Sequence, residues 1–204
     1  MRRWIILGGF WAVSLMAVRA SEEKLARLDI SGLLKTPVPI EILSVSEGGR
    51  GAQAEWVGAN RDKMITAQFP ATTDWQQASV TFKPAKSGGV VLQLLAPFVR
   101  VAEGEKALKV IFMDYDAVRV DGAVVQNGSF ESVDSKGQPK SWAPNDNDAS
   151  NPPLGETNRA RVLTGEASDG SKFVRVWHNS RYIQIIIVEE NVPVTVHFSY
   201  RLSS

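Results

Sequence analysis

Apolar and polar residues alternate with a period of two in short runs along most of the chain, which is typical of half-buried β-strands. Turn-forming residues flank the runs, as at Asp121-Gly122 and Asp169-Gly170. A helical spacing occurs at residues 22–28, which are sufficient for two turns only and too few for a stable isolated helix. We predict strands over residues 40–45, 79–82, 90–95, 110–120, 173–177, 182–188 and 194–200.

Strands at this spacing, without helical patterns between them, predict an all-β fold, namely a β-sandwich of the jelly-roll type. The stretch over residues 134–157 is rich in Asn, Asp, Pro, Ser and Gly. It is predicted to be a loop, and a loop of this length is either functional or mobile.

Residues 1–20 have the layout of a secretory signal peptide. Arg2 and Arg3 form a positively charged start, residues 4–18 are apolar, and small residues near the end offer a cleavage point. A retained anchor is the alternative, although the apolar run is shorter than the roughly 20 residues of a membrane span. We therefore predict that residues 21–204 form a mature domain that is secreted, periplasmic or at the cell surface.

Net charge and cysteine content limit the partners and the kinds of site that this chain can have. Cleavage would remove three arginines from 23 basic residues and leave all 22 acidic ones, so the mature net charge is about −2. Without a basic cluster, this balance argues against a nucleic-acid partner. The chain has no cysteine, which excludes disulfides, thiolate metal sites and cysteine nucleophiles.

Five segments carry a resemblance to a known family. Asn127-Gly-Ser-Phe-Glu131 is followed by Gly137-Gln-Pro and Ser141-Trp142, and it is preceded by Trp75–Phe82 and by Asp116-Ala-Val-Arg-Val120. The chain resembles the carbohydrate-binding modules of families four and nine and their galactose-binding-like relatives, which open with Asn-Gly-x-Phe-Glu. The resemblance implies a jelly roll that binds carbohydrate.

The order of these segments departs from that family, because the middle and closing strands come before the opening ones. One explanation is a single circularly permuted jelly roll, which close chain termini would allow. The alternative is the C-terminal part of one domain over residues 28–125 and the N-terminal part of a second over 126–204. A part-domain would leave open strand edges, so we favour one permuted domain.

A sugar site combines aromatic rings, which pack on C–H faces, with planar polar side chains that bind hydroxyl groups. On a strand over residues 173–177, Phe173, Arg175 and Trp177 would share one face. We predict a carbohydrate-binding surface there, whereas Trp75 and Trp142 match core positions of the resembled family. The alternative is that the rings of this surface belong to the core. The predicted site residues are Arg175, Trp177, Asn179, Arg181, Tyr182 and Gln184.

No catalytic pattern is present in the sequence. Its two histidines, His178 and His197, belong to none of the common hydrolase or metalloprotease motifs. The densest acids, Asp114, Asp116, Glu131 and Asp134, are interpreted as structural. We predict a non-enzymatic carbohydrate-binding domain whose partner is a polysaccharide or glycan, with neither nucleic acid nor membrane bound. The alternative is a structural or adhesion module that contacts envelope proteins and has no sugar affinity.

The resemblance also implies a structural calcium ion. In the resembled families an ion commonly bridges the opening Glu and the closing-strand Asp, which correspond to Glu131 and Asp116 here. Calcium takes six to eight oxygen ligands, and a disulfide-free exported domain would gain stability from such a link. The alternative is that Glu131 only caps a turn.

If Asp116 and Glu131 hold calcium, the metal stabilises the folded state by mass action. We expect the thermal unfolding temperature to fall when EDTA replaces calcium, as measured by differential scanning calorimetry. An unchanged unfolding temperature would remove the calcium site from consideration.

Overall fold

The computed structural model describes residues 23–33, 36, 38–55 and 63–203, so the predicted signal peptide lies outside the described residues. The described part holds twelve strands and one 3-10 helix, η1 (Glu156–Asn158). In chain order the strands are β1 (Leu25–Gly32), β2 (Ile40–Val45), β3 (Arg50–Glu55), β4 (Lys63–Pro70), β5 (Gln76–Pro84), β6 (Gly88–Leu95), β7 (Met113–Asp121), β8 (Ala143–Asp146), β9 (Arg161–Thr164), β10 (Lys172–Val176), β11 (Ser180–Val188) and β12 (Val194–Leu202).

Two antiparallel sheets of six strands form a β-sandwich, which confirms the predicted fold class. The first sheet has the order β3-β4-β1-β6-β11-β8, and the second has the order β2-β5-β12-β7-β10-β9. Nine of the eleven connections between consecutive described strands pass from one sheet to the other, as in a jelly roll. Strands from both ends of the chain share each sheet, because β11 lies between β6 and β8 and β12 lies between β5 and β7.

The core lies between the sheets and follows from the alternation in the sequence. The inward residues of β5 and β12 are apolar and fully or almost fully buried, as are those of β1 and β6. Phe69, Tyr115, Phe198 and Tyr200 pack with ring centroids 5.4–5.9 Å apart. The hydroxyl of Tyr115, on the second sheet, donates to the Leu95 carbonyl of the first sheet at 2.7 Å, and its burial raises its pKa.

Two sequence predictions need correction. Residues 25–28, which lie in the short stretch of helical spacing, belong to β1, because backbone pairing with β4 and β6 on both sides outweighs a weak helical preference. The predicted loop over residues 134–157 contains β8, which pairs with residues 180–183 of β11. Strands β1, β3, β4, β8 and β9 had no strand prediction, and β7 begins at Met113 rather than at residue 110.

The Asn-Gly-Ser-Phe-Glu segment organises the β7–β8 connection. The Asn127 side chain accepts a hydrogen bond from the Ser132 amide at 3.0 Å and donates to the carbonyls of Ser132 and Lys140 at 2.8 Å each. Phe130 is fully buried and packs on Trp142 with ring centroids 5.3 Å apart. Trp142 is therefore a core residue, as predicted.

Gly128 lies against the backbone of β7, and its carbonyl accepts a hydrogen bond from the Val118 amide at 2.9 Å. A Cβ on Gly128 would lie 1.9 Å from the Val118 carbonyl oxygen. We expect Gly128→Ala to lower the free energy of unfolding by about 1–3 kcal/mol, since overpacking shifts backbone, as measured by urea denaturation.

Gly155→Ala is the matched control for Gly128→Ala. At Gly155 the φ angle of −125° suits any residue, and the atom nearest to a Cβ would be Asn158 Oδ1 at 3.9 Å. Equal stability of the two alanine variants would contradict this account of Gly128.

Candidate functional site

The structure places both rings of the predicted sugar-binding surface inside the core. Trp177 and Tyr182 are each 0% exposed. Trp177 follows the last residue of β10, so its side chain does not continue the alternation of that strand, and Tyr182 lies on the inward face of β11. Neither ring offers a face to a ligand from solvent, which fits the alternative that these rings are core residues.

The four polar residues of that predicted surface also have partners within the fold. Asn179 is buried and donates to Ser150 Oγ at 3.0 Å, and Gln184 exchanges two hydrogen bonds with the backbone of Gln126 at 2.7 and 2.9 Å. Arg181, on the outer face of the first sheet, donates to the His178 carbonyl at 2.9 Å. The structure therefore does not gather the six predicted residues into one exposed site.

Arg175 belongs to an ion-pair network on the outer face of the second sheet. It donates to the fully buried Asp114 at 2.8 Å, and Arg201 donates to the other carboxylate oxygen at 3.1 Å. The Arg201 guanidinium lies 4.4 Å from the ring centroid of Trp75 and 4.9 Å from that of Phe173. The prediction that Trp75 is a core residue is wrong: it precedes β5, remains partly exposed and packs on the outward-facing Arg201.

A cleft of about 470 Å³ opens on the same outer face, and we call it the second-sheet cleft. It lies where the pairing of β12 with β7 shifts register between His197 and Ser199 and where Ala117 has a φ angle of 49°. Such β-bulges re-aim side chains and are frequent beside functional sites. Its polar lining residues are Ser46, Gln77, Ser79, Arg119, Ser168, Asp169, His197 and Ser199.

Asp116 fixes one wall of the second-sheet cleft. Its buried carboxylate accepts hydrogen bonds from the amides of Ser168 and Asp169 at 2.7 and 2.8 Å and from that of Ala117 at 2.7 Å. Burial raises the pKa of the Asp116 carboxyl to about 6, although these amide hydrogen bonds lower it. Ser168 Oγ also donates to Ser199 Oγ at 2.8 Å, which joins the β9–β10 turn to β12.

Glu131 holds the same turn from its other side. Its carboxylate accepts hydrogen bonds from the amides of Ser171 and Lys172, both at 2.6 Å, and lies 3.3 Å from Lys172 Nζ. The two amide hydrogen bonds lower the pKa of Glu131 to about 2. Asp116 and Glu131 therefore meet at one structural element, the turn between β9 and β10.

The atoms around these two carboxylates do not fit calcium as they are arranged here. Their hydrogen-bond partners are N–H groups, one hydroxyl and one ammonium, whereas calcium requires a shell of oxygen ligands. Across the described residues, no group of three or more His, Cys, Asp or Glu side chains could hold a metal ion. The calcium ion stays a prediction, which the comparison of calcium with EDTA tests.

The acids and the histidine of this region are engaged in local contacts. His197 Nε2 lies 3.0 Å from Asp121 Oδ2, and the described hydrogen bonds of Ser168 and Ser199 do not include this imidazole. Asp134 accepts the amides of Lys136 and Gln138, which lowers its pKa and closes a turn. No nucleophile–base pair is formed among these described side chains.

Sequence reasoning singled out Asp116 in this cleft but missed its lining. The lining residues come from β5, β7, β12, the β9–β10 turn and, for Ser46, the β2–β3 connection, which are far apart in the sequence. A usable signal was the alternation of β12, which places the polar residues Thr195, His197 and Ser199 on the face opposite to its apolar residues.

No protein family, curated protein or solved structure matches this chain. Throughout the residues that the structure describes, no helix is long and apolar enough to cross a membrane. The resemblance to carbohydrate-binding modules of families four and nine stays a prediction that rests on the sequence motifs alone.

The Asp116 carboxyl makes stability depend on pH. Because its pKa of about 6 in the folded chain exceeds its ordinary value of 3.8, folding favours the protonated form. Its stabilising contribution is therefore full below pH 3.8 and is lost as the pH rises through about 6, by at most about 1.4 kcal/mol per pH unit. We expect the free energy of unfolding of the wild type, minus that of Asp116→Asn, to decrease from about pH 4.5 to about pH 7 in urea denaturation.

His178 and Glu131 also have shifted pKa values, and their contributions to stability cancel when the Asp116→Asn value is subtracted from that of the wild type. Burial lowers the pKa of His178 from 6.5 to about 4, so its contribution is lost as the pH falls through this range, with the opposite sign. The contribution of Glu131 is lost only as the pH falls below 4.5 towards 2. A difference that stays flat or increases with pH would contradict the assignment to Asp116.

Proposed function

We propose that this domain binds carbohydrate in the second-sheet cleft. The observation that carries the proposal is a cleft of about 470 Å³ whose lining combines hydroxyl, amide, carboxylate, imidazole and guanidinium groups. This volume falls within the range of roughly 300–1,000 Å³ that is usual for small-molecule sites. A sugar presents many hydroxyl groups, each of which is both a donor and an acceptor, so a mixed lining of this kind suits it.

The side chains that line the second-sheet cleft suit a neutral ligand with several hydroxyl groups. Gln77, Arg119 and Asp169 are exposed at the cleft, and Ser79 and His197 are partly exposed, so their polar atoms are accessible from solvent. Arg119 supplies a planar fork of donors, Asp169 supplies acceptors and Gln77 supplies both. Because cationic and anionic groups lie together, the lining does not select strongly for one sign of ligand charge.

An aromatic ring lies on the same side of the sheet. Trp75 directly precedes β5 and packs on Arg201, which faces outward from β12, so its ring lies on the outer side of the second sheet. The stacking of Trp75 on Arg201, which also binds Asp114, holds the ring in place. Trp75 does not line the cleft itself, but a partly exposed ring two residues from Gln77 offers apolar surface on which the C–H face of an adjoining sugar unit could pack.

The wall of the cleft is preorganised, which favours binding. The hydrogen bonds of Asp116 and Glu131 hold the β9–β10 turn before any ligand arrives. A ligand therefore spends little binding free energy on ordering the loop that carries Ser168 and Asp169.

The proposal is tested by measuring binding to a glycan array and to insoluble polysaccharides with the purified protein. We expect Arg119→Ala and Gln77→Ala to weaken binding, Arg119→Ala by about 10- to 100-fold, since a hydrogen bond to a charged group contributes about 1.5–3 kcal/mol. Both residues are exposed, so both variants should fold normally.

Arg50→Ala is the matched control, because Arg50 is an exposed arginine on β3 of the other sheet. Unchanged glycan binding in both Arg119→Ala and Gln77→Ala would mean that the sugar site lies outside the second-sheet cleft. A folded wild-type protein that binds no glycan would favour the alternative, a structural or adhesion module without sugar affinity.

A further inference from the structure

The outer edge of the first sheet is only partly covered. Strand β8 pairs with β11 over four residues, from Ser180 to Ile183, and ends there. On its other side β11 pairs with β6 from Tyr182 to Val188. Among the strands that the structure describes, none pairs with residues 184–188 on the β8 side, so five residues of β11 form a free edge.

A groove of about 710 Å³ lies along this free edge, in line with β8. Ile185, Ile187 and Val124 line it and are 51%, 70% and 74% exposed. Residues 182–188 carry no charged side chain. Sheet edges in monomeric proteins are usually protected by lysine, proline, a bulge or a covering segment. The edge residues 184–188 contain neither lysine nor proline. The β7–β8 connection forms the opposite wall of the groove, and its Gln126 backbone binds the Gln184 side chain, but no described backbone hydrogen bond joins it to residues 184–188.

We propose that a second copy of this chain occupies the groove, through antiparallel pairing of residues 184–188 with the same residues of the partner. The pairing of β8 with β11 is antiparallel, and a partner strand in line with β8 continues that pairing along the same edge. The two first sheets then form one continuous sheet across the dimer.

The free edge is complementary to itself. A two-fold axis near Ile186 places the exposed isoleucines of one copy beside those of the other, because an antiparallel pair of identical segments reverses their order. No like charges meet within the paired segment, since residues 184–188 are uncharged. Apolar side chains that are exposed in one copy thereby become buried against an equivalent surface.

The same geometry closes the assembly at two copies. Strand β8 limits the free edge at one end, and a turn with a Val192 amide to Glu189 carbonyl hydrogen bond at 3.2 Å limits it at the other. An isologous contact uses its own surface on both copies and leaves none for a third. The second-sheet cleft lies on the other sheet, so dimerisation does not depend on the proposed sugar binding.

The dimer is tested by sedimentation equilibrium and by light scattering over a range of concentrations of the purified protein. We expect twice the monomer mass for the wild type and the monomer mass for the double variant Ile185→Lys with Ile187→Lys, because buried lysines would face each other across the two-fold axis. Both isoleucines are at least half exposed, so the variant should unfold at the temperature of the free monomer.

Leu43→Lys is the matched control, because Leu43 is a 47% exposed apolar residue on β2, the edge strand of the second sheet. It should remain dimeric. A wild type that is monomeric at every concentration, or a dimer that persists in the double lysine variant, would overturn the proposal. A monomer that binds an added extended apolar peptide would also overturn it, since the groove would then accept a foreign strand.

Discussion

The candidate site depends on two carboxylates that accept hydrogen bonds from the backbone of one turn. Asp116 binds the amides of Ser168 and Asp169, and Glu131 binds those of Ser171 and Lys172. A β9–β10 turn without these acceptors would leave its amides to water and would not hold a fixed position over β7 and β12. The buried carboxylate costs desolvation, which the raised pKa of Asp116 expresses. The wall of the cleft is therefore made by the interaction that attaches the hairpin to the sandwich.

The two sheets present different surfaces to solvent. The second sheet carries hydroxyl, amide and ionised side chains around a bulge, and these suit a polar ligand. The first sheet ends in an uncharged isoleucine-rich edge, which suits another strand. Because each sheet keeps its apolar row inward, its outward row is free of the demands of the core. The sandwich can thus present a ligand cleft and an association edge that do not interfere with each other.

Strands with a clear hydrophobic pattern in the sequence were predicted close to their observed bounds, and strands without one were missed. Strands β5 and β12 alternate clearly, and β6 and β11 are apolar runs that follow the turn residues Gly88-Gly89 and Asn179-Ser180; all four were predicted within a few residues of their observed bounds. Strand β1 was missed because its start has a weak helical spacing, while the pairing with β4 and β6 that makes it a strand involves distant residues. Strand β8 was missed because four polar-rich residues inside a loop carry no period of their own.

The sequence by itself determined the all-β class and the alternation of the core. Those properties depend on neighbours within a few residues or on the burial of one face. It did not determine which aromatic rings are exposed: the sequence predicts Trp177 and Tyr182 at a surface and Trp75 in the core, whereas the fold buries the first two and leaves Trp75 partly exposed. Burial of a ring is decided by what packs on it, and turns and the opposite sheet supply those contacts. The second-sheet cleft was likewise decided only by the tertiary structure, because β5, β7, β12 and the β9–β10 turn become neighbours only when the sandwich forms.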